Sequence, residues 1–134
     1  ITRTSNKPCT AGIDIYVADT MGELKMLYAA ADVAFVGGSM VSVGGHNILE
    51  PAVIGIPVLF GPYMANFKEI TQKVLTHKAA IQCADSKAVV REIQRLYADS
   101  DYRNTLIANG ADFVRQNRGA IDKLYTLLVV ELRN

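Results

Sequence analysis

Two short apolar runs, Val33-Ala34-Phe35-Val36 and Ile56-Pro57-Val58-Leu59-Phe60, bracket a stretch that cannot continue either of them. Residues 37–51 carry glycines at 37, 38, 44 and 45, then His46, Asn47, Glu50 and Pro51. This order reads as strand, glycine-rich loop, short helix, strand. The second run does not alternate, the pattern of a parallel strand covered on both faces. In an open α/β sheet, ligands sit in the loops beyond the carboxyl ends of the strands. Glycines let the backbone approach a ligand, and a helix start offers free N–H groups to an anion. Residues 37–51 are therefore the candidate site.

The rest of the chain fits a parallel sheet flanked by helices. Residues 13–17 are β-prone and read as a first strand. Thr20 followed by Glu23 has the spacing of a capping box, opening a helix that runs to about Ala31. The short helix after the glycine-rich loop begins near Asn47 and ends by Gly55, and Pro51 predicts a distorted first turn. Gly61-Pro62-Tyr63 forms a second loop on the same edge of the sheet. Asn66 and Glu69 suggest the cap of another helix, with Phe67, Ile70 and Val74 inward. Residues 81–83 read as a fourth short strand. Asp85 or Ser86 caps a helix with Val89, Ile93, Leu96 and Tyr97 inward. The C-terminal helices span about 102–133, one over 102–117 (Leu106, Gly110, Phe113) and one over 120–132 (Ile121, Leu124, Leu128, Leu132). The fold class is α/β, a Rossmann-like parallel sheet, with residues 1–134 as one domain.

Composition narrows the function. A net charge of +1 gives no support for a nucleic-acid surface. Cys9 and Cys83 stand far apart, with no C-x-x-C, so neither a zinc site nor a disulfide framework is suggested. No run reaches the roughly 18 apolar residues of a membrane span. Opening on Ile1 rather than Met, the chain reads as a fragment or a processed product.

The common nucleotide signatures, G-x-G-x-x-G and the P-loop, are missing, as are G-x-S-x-G and H-E-x-x-H. What remains is a loop rich in N–H donors with Asn47 and Glu50 close behind. Backbone amides suit a phosphate. A carboxylate a turn further on suits the vicinal hydroxyls of a ribose. Together they describe a nucleotide monophosphate, without indicating a reaction. Each residue also has a plainer reading. Glu50 can be a first-turn glutamate favoured by the helix dipole. His46 can donate from the loop or serve structurally. Ser39 reads equally as turn former or phosphate donor. Glu23 reads first as a cap, His77 as a solvated helix-end residue, Arg3 as a solvated arginine and Lys68 as a helix-surface residue.

Asp19-Thr20-Met21-Gly22-Glu23-Leu24, Phe35-Val36-Gly37-Gly38-Ser39, Gly44-Gly45-His46-Asn47-Ile48-Leu49-Glu50-Pro51, Ile56-Pro57-Val58-Leu59-Phe60-Gly61-Pro62 and Asn66-Phe67-Lys68 resemble, in order and spacing, the 3-deoxy-D-manno-octulosonic acid (Kdo) transferases. Arg3-Thr4-Ser5 resembles an arginine-containing segment just upstream in that family. The resemblance implies the C-terminal, donor-binding half of a GT-B glycosyltransferase. The full enzyme would move Kdo from CMP-Kdo to a lipid A precursor (lipid IVA), at the cytoplasmic face of the Gram-negative inner membrane. Carried over, Glu50 holds the ribose hydroxyls. Gly38, Ser39, Gly44, Gly45, His46 and Asn47 surround the phosphate. Met21 and Gly22 lie near the cytosine, and Arg3 contacts the donor. No cofactor or metal is implied. The catalytic base, acceptor site and membrane anchor would lie in an absent N-terminal region, leaving this chain inactive alone. A last helix crossing back to that region would leave Leu127, Val130 or Leu132 exposed. The rival readings are a GT-B donor domain for a UDP-sugar and a non-catalytic nucleotide-binding module.

Overall fold

Val58, Leu59 and Phe60 are each inaccessible to solvent, and the molecule is layered around them. The computed structural model describes residues 1–120, 122 and 123. The three residues form β2 (Val58–Phe60), the middle strand of a parallel sheet with β1 (Ala34–Phe35) on one side and β3 (Ile81–Gln82) on the other. Leu59 pairs with Phe35 and Ile81, fixing the register. Successive strand residues point to opposite faces. Val58 and Phe60 enter a cluster with Val36, Leu49, Val74 and Phe113, while Leu59 enters one with Cys83, Leu96 and Leu106. A strand buried on both faces needs continuous apolar sequence, and Pro57–Phe60 supplies it. Burying each such side chain stabilises the fold by about 1.5–3 kcal/mol.

Among the described residues, five α-helices cover the sheet: α1 (Leu24–Ala29), α2 (Leu49–Ile54), α3 (Lys68–Thr76), α4 (Ser86–Ala98) and α5 (Ser100–Gln116). The Asp85 carboxylate accepts from the Ala88 N–H at 2.7 Å, and Asp99 accepts from the Tyr102 N–H at 2.9 Å. Each carboxylate satisfies a donor that has no partner within its helix. The Arg95 guanidinium lies 3.7 Å above the Tyr102 ring, tying α4 to α5. α5 buries Leu106, Gly110 and Phe113, as its periodicity predicts. His77 ends α3, its Nδ1 2.8 Å from the Lys73 carbonyl and its ring edge against Phe113.

Several expectations are corrected. Residues 13–17 do not form a strand: Val17 makes a single parallel bridge to Thr2, and Ile15 is 70% exposed. β propensity reports fit to a half-buried surface, which this segment lacks. Tyr97 points outward from α4, and its hydroxyl donates to Asp32 at 3.2 Å. Asn66 and Glu69 do not cap α3, which is entered through a 3₁₀ turn over Ala65–Phe67 with no side-chain cap. The expected helix over 120–132, and the expected exposure of Leu127, Val130 and Leu132, rest on residues outside the described ones.

Candidate functional site

The glycine-rich loop after β1 and the loop after β2 are zipped together by backbone hydrogen bonds. Within the first, the Gly45 N–H donates to the Gly38 carbonyl at 3.1 Å. Between the two, Tyr63 N–H donates to the Ser39 carbonyl at 3.0 Å and Asn66 N–H to the Gly44 carbonyl at 3.1 Å. The Ser39 side chain completes the join. Its hydroxyl donates to the Val36 carbonyl and accepts from the Gly61 N–H at 2.8 Å, with no exposure to solvent. Of its two sequence readings, the structure shows the turn-forming one.

Gly44 has a φ of +96°, and a Cβ there would sit 2.3 Å from the Asn66 amide. Only glycine allows both the left-handed backbone and that approach. Asn66, unexplained as a cap, is thus the wedge that holds the second loop on the first. The exposed His46 ring lies over Gly38, where a Cβ would come within 3.3 Å of it.

α2 follows at once. The helix starts at Leu49 rather than near Asn47, so Pro51 falls in its first turn, where a missing N–H costs nothing. The expected distortion is not needed. Asn47 Oδ1 accepts from the Leu49 N–H at 2.9 Å, and Asn47 Nδ2 approaches Glu50 Oε1 at 3.5 Å. Glu50 is half-buried in the first turn of α2, which packs against α1. Burial pushes the Tyr28 phenol of α1 above its ordinary pKa, and the Glu50 charge adds to that shift.

Met21 and Gly22 form the turn before α1, with Met21 97% exposed and Gly22 at φ +85°. The turn is braced from behind. Arg3 Nε and Nη2 donate to the two Glu23 oxygens, each at 3.1 Å, and the Thr20 hydroxyl donates to the same carboxylate. Glu23 makes no side-chain cap to α1, so the expected capping box is replaced by a long-range ion pair. Arg3 is paired rather than solvated. The Thr20 hydrogen bond and then Arg3 hold Glu23 below the usual carboxylate range. Thr4 does the same for Asp19, through its side chain and its N–H.

Beside the zipped loops lies an open cleft of about 630 Å³, bounded by Gly44, the second loop and α3. Sequence reasoning missed it. Its only signal was a cluster of polar residues (Lys68, Thr71, Gln72) on a helix read for its apolar stripe. Among the described residues, no group of three His, Cys, Asp or Glu side chains is placed to hold a metal.

A parallel sheet buried on both faces, with its site at the carboxyl ends of β1 and β2, is the α/β architecture that forms the C-terminal half of GT-B glycosyltransferases. Within that class the relatives are specific. Over 129 residues, 96% of this chain, the sequence is 34% identical to the 3-deoxy-D-manno-octulosonic acid transferase of Haemophilus influenzae. Over 113 residues, 84% of this chain, it is 36% identical to that of Chlamydophila psittaci. It spans 30% and 26% of those proteins, respectively. Among solved structures, the C-terminal CMP-Kdo binding domain of WaaA from Acinetobacter baumannii superposes with a TM-score of 0.81 at 34% identity, covering 85% of this chain and 60% of that one. No protein-family model matches the chain. Along most of its length the chain is a relative of the Kdo transferases.

Proposed function

We propose that this chain is the donor-binding part of a Kdo transferase, holding CMP-Kdo while the sugar passes to a lipid A precursor. The observation that carries the reading is the likeness to a CMP-Kdo binding domain, at 34% identity and a TM-score of 0.81. In this reading Glu50 accepts hydrogen bonds from the ribose hydroxyls, with Asn47 orienting its carboxylate. Gly38, Gly44, Gly45 and His46 surround the phosphate. Ser39 acts indirectly, by locking the two loops together. Met21 and Gly22 flank the cytosine, and Arg3 serves the donor through Glu23 by bracing that turn.

Transfer breaks the bond between the sugar and a phosphate oxygen, leaving CMP with an extra negative charge. N–H donors already fixed around that oxygen stabilise the charge without reorganising. The catalytic base and the acceptor site belong to parts of the enzyme outside this chain, as does its attachment to the cytoplasmic face of the inner membrane. No helix among the described residues is long and apolar enough to cross a membrane. The chain alone therefore binds the donor nucleotide and transfers nothing. Transfer of Kdo by these 134 residues would refute that.

The direct test is calorimetric titration of CMP, with UMP as control, into the chain and its Glu50→Ala variant. CMP-selective binding, weakened by about 1.5–3 kcal/mol on losing the charge-assisted contact, is the expected result. Equal binding of both nucleotides would point instead to a GT-B donor domain for another sugar nucleotide.

A further inference from the structure

A separate pocket lies at the other end of the sheet from the glycine-rich loop. Val33 and Pro57, which immediately precede β1 and β2, line it, so it sits at the amino ends of the strands. It shares no lining residue with the candidate site or with the cleft beside it. Its volume of about 330 Å³ is at the small end of the range for ligand sites. The wall is apolar, built by Ala31, Val33, Ile56, Pro57, Leu96 and Ile107. Three polar side chains interrupt it: Asp32, Tyr97 and Arg103.

The two charges on this wall do not neutralise each other. Among the described residues, neither Asp32 nor Arg103 forms an ion pair. Both are nonetheless held in place. The Tyr97 hydroxyl donates to Asp32 Oδ2 at 3.2 Å, joining α4 to a residue 65 positions away. The half-buried Arg103 donates from Nη1 to the Leu96 carbonyl at 2.9 Å, joining α5 to the end of α4. Its guanidinium has further N–H donors to offer. The Asp32 hydrogen bond raises the Tyr97 pKa and the Arg103 charge opposes that rise, so the phenol stands near both charges and stays protonated. An apolar pocket thus carries a fixed carboxylate and a fixed cation, each with bonding capacity left over.

We infer that this pocket binds a zwitterion with a short apolar tail, an aliphatic amino acid, with Arg103 facing its carboxylate, Asp32 its ammonium group and the apolar wall its side chain. A plain carboxylic acid would answer Arg103 but be repelled by Asp32, and a plain amine would meet the reverse. A neutral apolar molecule would strip water from both charges and return nothing. The inference is independent of the donor reading, because the pocket's residues take no part in it.

The test is an amide NMR titration of the isotope-labelled chain with L-leucine and three analogues. These are 4-methylpentanoate, which lacks the amine, 3-methylbutylamine, which lacks the carboxylate, and glycine, which lacks the tail. Leucine should saturably shift Asp32, Val33, Ile56, Tyr97 and Arg103. The acid and the amine should each bind about two- to fivefold more weakly, the range of an exposed ion pair. Glycine should bind about tenfold more weakly, for want of apolar burial. Asp32→Asn keeps an acceptor for the Tyr97 hydroxyl, so it leaves the fold intact. It should weaken leucine about two- to fivefold yet tighten 4-methylpentanoate, by removing a repulsion. Arg103→Met should likewise weaken leucine and tighten 3-methylbutylamine. Opposite changes of this kind cannot come from a merely structural role. No saturable shift, shifts outside the pocket, leucine binding no tighter than its acid or amine, or both ligands weakening together in Asp32→Asn would each overturn the site.

Discussion

Residues 1–23 and residues 34–116 are held by different forces. None of the first 23 side chains is buried, and Ile15, Val17 and Met21 stand in solvent. What order that segment has comes from Arg3–Glu23, Thr20–Glu23 and Thr4–Asp19, together with one parallel bridge. The second region is organised by β2 and the apolar clusters on its two faces. Apolar burial is proportional to area and indifferent to pH. Exposed ion pairs are directional, screened and weak. The proposed donor site spans both regions, with Glu50 on the apolar frame and Met21–Gly22 on the polar brace. Its nucleoside end should therefore be the part most sensitive to solution conditions.

The largest effect should come from emptying the frame. Phe60→Ala removes a fully buried ring from the first cluster and should cost about 3–5 kcal/mol of unfolding free energy, whereas Ile15→Ala should stay within about 0.5 kcal/mol. Urea unfolding followed by circular dichroism measures both. Comparable losses would mean that residues 1–23 carry a core of their own.

The next effect concerns the join between the loops. A Cβ on Gly61 would sit 2.2 Å from the Ser39 carbonyl oxygen, a backbone atom that cannot swing aside, whereas Gly12 has open space around it. Gly61→Ala should therefore cost about 1–3 kcal/mol and Gly12→Ala under about 0.5 kcal/mol. Gly61→Ala should also weaken CMP binding, because the Gly61 N–H to Ser39 bond at 2.8 Å sets the spacing of the loops. Stability lost without any change in CMP affinity would show that the join does not shape the site.

How far this contrast was legible in the sequence follows from the same division. The frame was visible because burial leaves a periodic trace. β2 appeared as an unbroken apolar run, α5 as Leu106, Gly110 and Phe113 at helical spacing, and Asp85 as a cap directly before its helix. The brace was not visible, because its partners are distant. Glu23 looked like the end of a four-residue box, yet besides Thr20 its carboxylate accepts two hydrogen bonds from Arg3, 20 positions away. Asn66 looked like a cap, since nothing local reveals that Gly44 lies against it. The strand expected at 13–17 failed for lack of neighbours, not lack of propensity. Within the candidate site, the glycines, His46, Asn47 and Glu50 were all singled out. The cleft was not, because it is a property of the space between α3 and a loop.

The smallest effect tests the brace itself. Glu23 and Asp19 are both held below their ordinary pKa values. A carboxylate whose folded value is depressed stabilises the structure fully above its unfolded value, near 4, and loses that contribution as pH falls through the lower folded value. Acidification should therefore release residues 1–23 first. Amide exchange at Arg3 and Thr4 should accelerate at a pH where Leu59 and Phe60 remain protected. Simultaneous loss would mean that the two regions unfold as one unit. The Thr20 hydrogen bond is the largest single cause of the Glu23 depression, and Arg3 adds both a hydrogen bond and its charge, so Thr20→Val and Arg3→Met should each raise the Glu23 pKa, read by NMR. Only the part that comes from the Arg3 charge is screened, so raised salt should shrink the effect of Arg3→Met and leave that of Thr20→Val. An unchanged Glu23 pKa in both variants would mean that the brace does not hold the Met21–Gly22 turn.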